Sequence, residues 1–451
     1  MFLPDDVKYL INRLNRSGFE AYAVGGCVRD SLLGLLPNDW DITTNCPPER
    51  LKAVFGDLRL IETGLKHGTL TVLLNGSPYE VTTYRLDGVY TDHRRPDSVE
   101  FVSELRLDLE RRDFTVNAMA TCDGETVVDL FDGRLDLQKR LIRCVGDPYK
   151  RFEEDALRIL RALRFASVYD FEIDPLTAKA ASELKSTLVN VSEERIFVEL
   201  KKLLCGKGAE RILLDHSDII FQILPELEPM KNCAQNNPHH AYDVWTHTVK
   251  ALASAPQDSV YRLAMLFHDA GKPQAKYTGL EGHDHFKYHQ IYSVGIAGKC
   301  LARLKSDNDT VRRVERLIKE HDLRIPATEK AVRKQLARLS ENGFLELFPV
   351  FKADLAAQHP DYIPDKLRRV EALEALTRKV IAQKNCLSVK DLSVNGGDMR
   401  ALGITGAATG EVLKLLLDEV VKGYLPNEKP ALSERATNLF RAVVGQSKPR
   451  N

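Results

Sequence analysis

The sequence predicts an α+β chain, with a small mixed sheet at the N-terminus and helices through the rest. Three observations carry this. Short β-type runs and helix-period segments mix over residues 1–145. A hairpin pattern stands at 69–84, where Thr-Leu-Thr-Val-Leu-Leu and Tyr-Glu-Val-Thr-Thr-Tyr flank Asn75-Gly76-Ser77-Pro78. Beyond about residue 150, apolar residues recur at spacings of three and four, over 152–166, 193–205, 244–253, 311–320 and 409–421. Breaks are expected near Asp147-Pro148 and at 235–238, 359–364 and 385–388.

Size and composition narrow the class. The 451 residues suggest two to four domains, and 43% hydrophobic residues suffice for sizeable cores. No run approaches the roughly 18 apolar residues of a membrane span. The acidic start, Met1-Phe2-Leu3-Pro4-Asp5-Asp6, lacks the basic region of a secretory signal. Eight scattered cysteines without a C-x-x-C pair read as reduced thiols in a cytoplasmic protein. A net charge of zero excludes a chain basic all over. Local clusters such as Arg94-Arg95, Arg111-Arg112, Arg312-Arg313 and Arg368-Arg369 do not by themselves argue for RNA binding.

The elements follow in order. Residues 19–24 alternate toward Gly25-Gly26 as a short strand does. The run Gly25-Gly26-Cys27-Val28-Arg29-Asp30 then turns the chain into a helix. Its glycines allow backbone N–H groups to approach a phosphate closely. Asp39-Trp40-Asp41 reads as a second strand with both carboxylates on one face. Two such carboxylates can hold Mg²⁺ against a triphosphate. A lone Gly-Gly turn or a lone Asp-x-Asp is ordinary. In the order strand, turn, helix, strand they point to nucleotidyl transfer. Glu80, on the hairpin, is either a third carboxylate at that site or an outward-facing strand residue.

Arginines come next. Arg111-Arg112 could fork onto a triphosphate or sit in a solvated turn. In the segment 154–165, Leu157, Leu160 and Leu163 form an apolar stripe, while Asp155, Arg158, Arg161 and Arg164 form a second stripe. Three like charges at that spacing repel, so the stripe either faces an anion or is a solvated basic face. Asp155 with Arg158 offers a base-reading pair. Cytosine and adenine both present a ring-nitrogen acceptor beside an amino donor, which suits an arginine donor and a carboxylate acceptor. Uracil and guanine mismatch at both contacts.

These residues resemble the class II tRNA nucleotidyltransferases, the CCA-adding enzymes and their bacterial poly(A) polymerase relatives. The matching pieces are GGCVRD, DWD, RRDFTVNAMA, DGRLDLQKRLIRCVGDP and EDALRILRALRF, in family order over 25–165. The stretch 391–428 resembles the family's tRNA-binding tail. The resemblance implies a polymerase-β-like head with an all-α neck, body and tail. By it, Asp39 and Asp41 are catalytic and hold Mg²⁺, and Gly26 and Arg29 contact the nucleotide's phosphates. Arg112 touches the nucleotide, with Arg111 as its neighbour. Asp155 and Arg158 read the base, and Arg161 and Arg164 complete the pocket. Residues 85–98 resemble the family's flexible loop at full length, which disfavours an enzyme adding only the two C residues.

The helical middle holds a second constellation of imidazoles and carboxylates, suited to a divalent transition metal. His247, His268-Asp269, His289, His321 and Asp354 stand in the order of the HD phosphohydrolase domain. The resemblance implies His247, His268, Asp269 and Asp354 as ligands of one metal, with His289 and His321 serving a second metal or a phosphate.

The expected organisation is a nucleotidyltransferase head over 1–145, a helical neck over 146–235, an HD domain over 236–360 and a tRNA-binding tail over 361–451. The expected function is template-independent addition of CCA to tRNA from CTP and ATP. Three alternatives stay open on the sequence: an A-adding enzyme or poly(A) polymerase, a chain whose main activity is HD hydrolysis, and a non-catalytic RNA-binding protein.

Overall fold

The computed structural model describes residues 3–88, 99–383 and 386–446. The chain divides into two compact units. One comprises Met1–Glu228, Gln257–Arg262 and Lys299–Val311; the other comprises Pro229–Pro256, Leu263–Gly298 and Arg312–Asn451.

The first unit carries a sheet of seven strands among its described residues: β1 (Ala21–Val24), β2 (Asp41–Thr44), β3 (Arg59–Ile61), β4 (Thr69–Leu74), β5 (Ser77–Thr83), β6 (Met119–Thr121) and β7 (Val128–Asp129). Their order is β3-β4-β5-β2-β1-β6-β7. Within this sheet, among the described residues, only β2 and β5 pair in parallel. Helix α1 (Asp5–Arg16) buries Val7, Leu10, Ile11 and Leu14, one face at helical spacing, and packs on β1. Helix α2 (Gly26–Leu32) leaves the end of β1.

Two details of the sheet depart from expectation. The hairpin turn is two residues, not four: Asn75 and Gly76 both take positive φ, and Ser77 already pairs with Leu74. That is the Asn-Gly turn whose twist suits a right-handed hairpin. Asp39 and Trp40 are not strand. β2 starts at Asp41, whose ladder partners are Val24 and Glu80. Beyond Val24 the positive φ of Gly25 turns β1's continuation into α2, so residues 39–40 lose their antiparallel partner on the β1 side.

The helix expected over 152–166 is two helices, α3 (Pro148–Glu154) and α4 (Leu157–Tyr169). Asp155 between them is extended, and its side chain accepts the Leu157 N–H at 3.1 Å. A short acidic side chain that caps the next helix competes with continuation of the last one. Asp155 therefore does not belong to the helical stripe of Arg158, Arg161 and Arg164. Helix α5 (Glu193–Leu204) packs along α4. Arg85–Asp87 pairs with Val99–Phe101, and the loop assigned to 85–98 falls mostly on 89–98, outside the described residues.

The second unit is helical. Helices α6 (Val244–Ser254), α7 (Ser259–Phe267), α8 (His289–Arg303) and α9 (Asn308–Glu320) supply or precede the histidines, and α10 (Leu347–Ala356) packs on α6. Helix α11 (Ile363–Ala382) leads to a separate small core, where Val394, Met399, Ile404, Val412, Leu416 and Leu432 are buried together around α12 (Ala407–Val421) and α13 (Lys429–Gln446). No described helix is long and apolar enough to cross a membrane. All eight cysteines are free.

Gly76 faces open space, so a side chain there meets no neighbour and strains only the backbone. Gly76→Ala is expected to destabilise the first unit by about 1–2 kcal/mol, read from the shift of its urea midpoint.

Candidate functional site

The site of the first unit is built where β1 ends. Gly25 takes a φ of +83°, and a Cβ there would stand 3.0 Å from Nη1 of Arg112. The missing side chain lets that guanidinium lie against the turn. Gly26 opens α2, and Arg29 follows one turn later, almost fully buried. Arg29 donates to Asn117 Oδ1 and, through Nε at 2.9 Å, to Asp30 Oδ1. The rings of Phe165 and Tyr169 flank its guanidinium at 5.0 and 4.7 Å, and Tyr169 donates to the same Asp30 oxygen at 2.8 Å.

Asp41 stands beside Glu80 in parallel register. Burial, then the charges of Asp39 and Glu80, push the Asp41 carboxyl up to about 6, against the pull of Arg112. A buried acid repelled by two others is a place that favours a cation. The three do not converge tightly: among the described residues, the groups of three or more metal-competent side chains within 4.8 Å of one another both lie in the second unit.

Arg111 and Arg112 differ. Arg111 grips Asp108 Oδ1 with two nitrogens at 2.7 and 3.0 Å, whereas Arg112 reaches Oδ2 at 3.3 Å and leaves its buried Nε without a hydrogen bond. Burial opposes the charge on Asp108, but Arg112 and Arg111 outweigh it and hold the carboxyl below the usual range. Arg112 is thus the arginine turned toward Gly25 and Asp41.

The other arginines each have a carboxylate. Arg158 meets Glu154 at 2.6 Å and donates to the Arg111 carbonyl at 3.1 Å. Arg161 grips Asp113 at 2.6 and 2.8 Å, and Arg164 lies 2.8 Å from Glu199. The repulsion read from the charge stripe is offset inside the protein, so that stripe alone does not require a bound anion. Asp155 does not bond to Arg158; its Oδ2 accepts from Arg195 at 2.7 Å. Asp113 also accepts from Asn117 at 3.0 Å, which links Arg161 to Arg29 through one chain of contacts.

Sequence reasoning missed Asp108, Asn117, Arg195 and Glu199. Asp108, three and four residues before the paired arginines, carried a readable signal at helical spacing. Glu199 and Arg195 lie on α5, whose pairing with α4 is a tertiary fact.

In the second unit the structure gathers all six expected residues. His247, His268, Asp269 and Asp354 form one group; Asp269, His289 and His321 form another. Each histidine turns Nδ1 to a backbone carbonyl, of Ala357, Met265, Phe286 and Ile318, at 2.7–3.1 Å. That fixes the tautomer and aims four Nε2 lone pairs inward. Asp269 joins the groups: Oδ2 lies 3.2 Å from His268 and Oδ1 3.2 Å from His289. Burial disfavours charge on His268, yet Asp269 and Asp354 push it up to about 10. The negative charge that raises proton affinity here equally favours a metal cation at the same place. Lys272, buried, touches Asp269 at 2.7 Å. His240, which the sequence did not single out, stacks edge-on 5.3 Å from His247 with its Nδ1 unpartnered.

Comparison with known proteins fits this geometry. The Poly A polymerase head domain model matches residues 21–143, the probable RNA and SrmB-binding site of polymerase A matches 170–231, and the HD domain matches 239–354. The CCA-adding enzyme of Limosilactobacillus fermentum is 34% identical over 439 residues, covering 96% of each chain. The chain belongs to the CCA-adding enzyme family. A second family member, from Levilactobacillus brevis, is 34% identical over 97% of this chain and 99% of its own. The crystal structure of the Bacillus stearothermophilus CCA-adding enzyme in complex with CTP superposes with a TM-score of 0.75 at 28% identity, covering 99% of this chain and 100% of that one. The Thermotoga maritima CCA-adding enzyme complexed with tRNA shares the fold, with a TM-score of 0.59 at 20% identity over 96% of this chain and 95% of that one.

Within this family member the Asp113–Arg161 contact sets an acid limit. Burial opposes the Asp113 charge, but Arg161 and Asn117 hold the carboxyl well below its ordinary range. Such a depressed group stabilises fully above the unfolded value near ~4 and loses that contribution as pH falls toward the folded value. Asp113→Asn is expected to cost about 2 kcal/mol at pH 7, discounted from a fully buried pair because Arg161 stays 32% exposed. The gap to wild type should narrow between pH 5 and 3 in urea titrations; a constant gap contradicts the assignment.

Proposed function

We propose that this chain adds C, C and A in turn to the 3′ end of tRNA, using CTP and ATP without a nucleic-acid template. The observation that carries it is end-to-end likeness to CCA-adding enzymes. Support comes from the ring of arginines beside acids at the Gly25 turn. On this reading residues 1–145 are the head, 146–235 the neck, 236–360 the HD domain and 361–451 the tRNA-binding tail. The free cysteines accord with a cytoplasmic enzyme.

Residue roles follow from chemistry. Arg29, Arg112, Arg161 and Arg164, with the N–H of Gly26, hold the triphosphate and its sugar. Asp155 accepts from the base amino group and Arg158 donates to the ring nitrogen beside it. Asp39 and Asp41 hold Mg²⁺, with Glu80 adding negative charge. When bound there, Mg²⁺ would supply charge that favours deprotonation of the attacking hydroxyl and offsets charge on the leaving pyrophosphate. The tRNA 3′-oxygen bonds to the α-phosphorus, the bond to pyrophosphate breaks, and the hydroxyl proton goes to solvent. The helical tail meets tRNA chiefly by backbone and shape.

The test is incorporation on tRNA lacking its 3′ end. CTP and ATP together should give C, C and A; absence of cytidine incorporation would favour an A-adding enzyme or poly(A) polymerase. Asp41→Ala should lower the rate by about 10³-fold or more while leaving tRNA binding intact. A protein that shifts tRNA but transfers no nucleotide supports a purely binding role.

The inward-facing Nε2 atoms favour a second, metal-dependent activity. His247, His268, Asp269 and Asp354 would hold one divalent transition metal, and His289 and His321, sharing Asp269, a second. A metal held there would supply Lewis-acid chemistry suited to phosphoester hydrolysis. Asp269→Ala should abolish hydrolysis of a phosphoester probe and reduce bound Ni²⁺ or Mn²⁺ by elemental analysis, with nucleotide addition retained. Unchanged metal content rejects this assignment.

A further inference from the structure

The candidate base-reading carboxylate has a partner with no role so far. Asp155 occupies the break between α3 and α4, where its Oδ1 accepts the Leu157 N–H at 3.1 Å and its Oδ2 accepts Nη2 of Arg195 at 2.7 Å. Both oxygens are thereby anchored, one on backbone and one on a guanidinium. Rotation of the carboxylate about its last bond would break both contacts. Each oxygen keeps a lone pair for a further donor.

The position of Arg195 is unusual for its charge. It stands in the first turn of α5, where its N–H bonds the Ser192 carbonyl at 3.0 Å. A cation there opposes the helix dipole, which favours anions at that end. Asp155 supplies the compensating charge. The other guanidinium nitrogen, Nη1, is buried and makes no hydrogen bond. An unspent buried donor is costly unless something reaches it, and it lies on the residue that holds Asp155.

We propose that Arg195 is a specificity-determining positioning residue, which locks Asp155 in the orientation that accepts from a cytosine or adenine amino group. This rests on the reading of Asp155 as the base-selecting acid. A carboxylate held at both oxygens has no freedom to turn aside for a carbonyl, so uracil O4 and guanine O6 face a fixed acceptor and are repelled. With Arg195 gone, Asp155 keeps only its backbone anchor, can swing away, and the penalty on the wrong bases falls.

The experiment measures kcat/KM for each of the four triphosphates with wild type, Arg195→Ala, Arg195→Lys and Asp155→Ala, on the full chain with tRNA ending before the first C. Arg195→Ala is expected to lower the CTP-to-UTP ratio by about tenfold or more. Arg195→Lys keeps the charge but offers a single nitrogen, and should restore part of that ratio. If Arg195 only tied α5 to the α3–α4 junction, its loss would slow all four nucleotides alike, and an unchanged ratio overturns the inference. Should Arg195→Ala fail to fold, Arg195→Lys carries the test alone, with a ratio below wild type expected and one equal to it overturning the proposal. Asp155→Ala separates the two claims. If it too leaves selectivity intact, the base-reading assignment itself fails; if it relaxes selectivity while both Arg195 variants do not, only the role of Arg195 falls.

Discussion

The sheet-bearing unit depends on placing carboxylates behind arginines. Five guanidiniums stand around the Gly25 turn and along α4, and each meets an acid: Arg29 with Asp30, Arg112 with Asp108, Arg158 with Glu154, Arg161 with Asp113, Arg164 with Glu199. Bare arginines at this density repel one another and must stay in water. Paired, they can be drawn inward and held still. The pairing spends one edge of each planar fork and leaves the rest, so the cluster keeps a positive face at little further cost in side-chain freedom. The apolar contacts of α4 on α5 keep the acids and bases in reach. Packing, charge and the candidate nucleotide pocket are therefore one arrangement.

The helical unit solves a related problem with the opposite sign. One acid and four imidazoles are buried in one place with the half-buried Asp354 beside them, which is tolerable only if a cation or protons sit among them. The four carbonyl contacts at Nδ1 remove the rotational choice of each ring, so convergence of the Nε2 atoms follows from the backbone. In the arginine cluster the protein provides the counter-charges itself. Here Lys272 supplies one counter-charge to Asp269, and the remaining donors converge as a cation site would require.

Much of this was legible in the sequence because the signals are local. The Gly-Gly turn, the hairpin and the amphipathic helices can each be read from spacing within a single segment, and the six metal-competent residues from their order along the chain. The errors share a cause. Strand character at Asp39 depends on neighbouring backbone, and the turn at Gly25 takes away the neighbour on the β1 side. The four-residue turn was read from composition, whereas ladder pairing of Ser77 shortens it. The charge stripe looked unbalanced because the acids Asp113 and Glu199 are remote in sequence from the arginines they hold. Periodicity reports one element's faces and is silent on what another element brings to them.

The break at Asp155 shows why such a departure can be functional. In a continuous helix Asp155 and Arg158 would stand at i, i+3, close enough to satisfy one another. An acid and a base already bonded together have little left to offer an incoming base. The extended backbone at Asp155 removes it from that register. Its carboxylate turns to Leu157 and Arg195, while Arg158 turns to Glu154 and the carbonyls of Arg111 and Arg151. Each member is thus fixed by a partner other than its neighbour. On the proposed base-reading role, such a pair has to be kept from reading itself, and a one-residue interruption with separate anchors keeps the two apart.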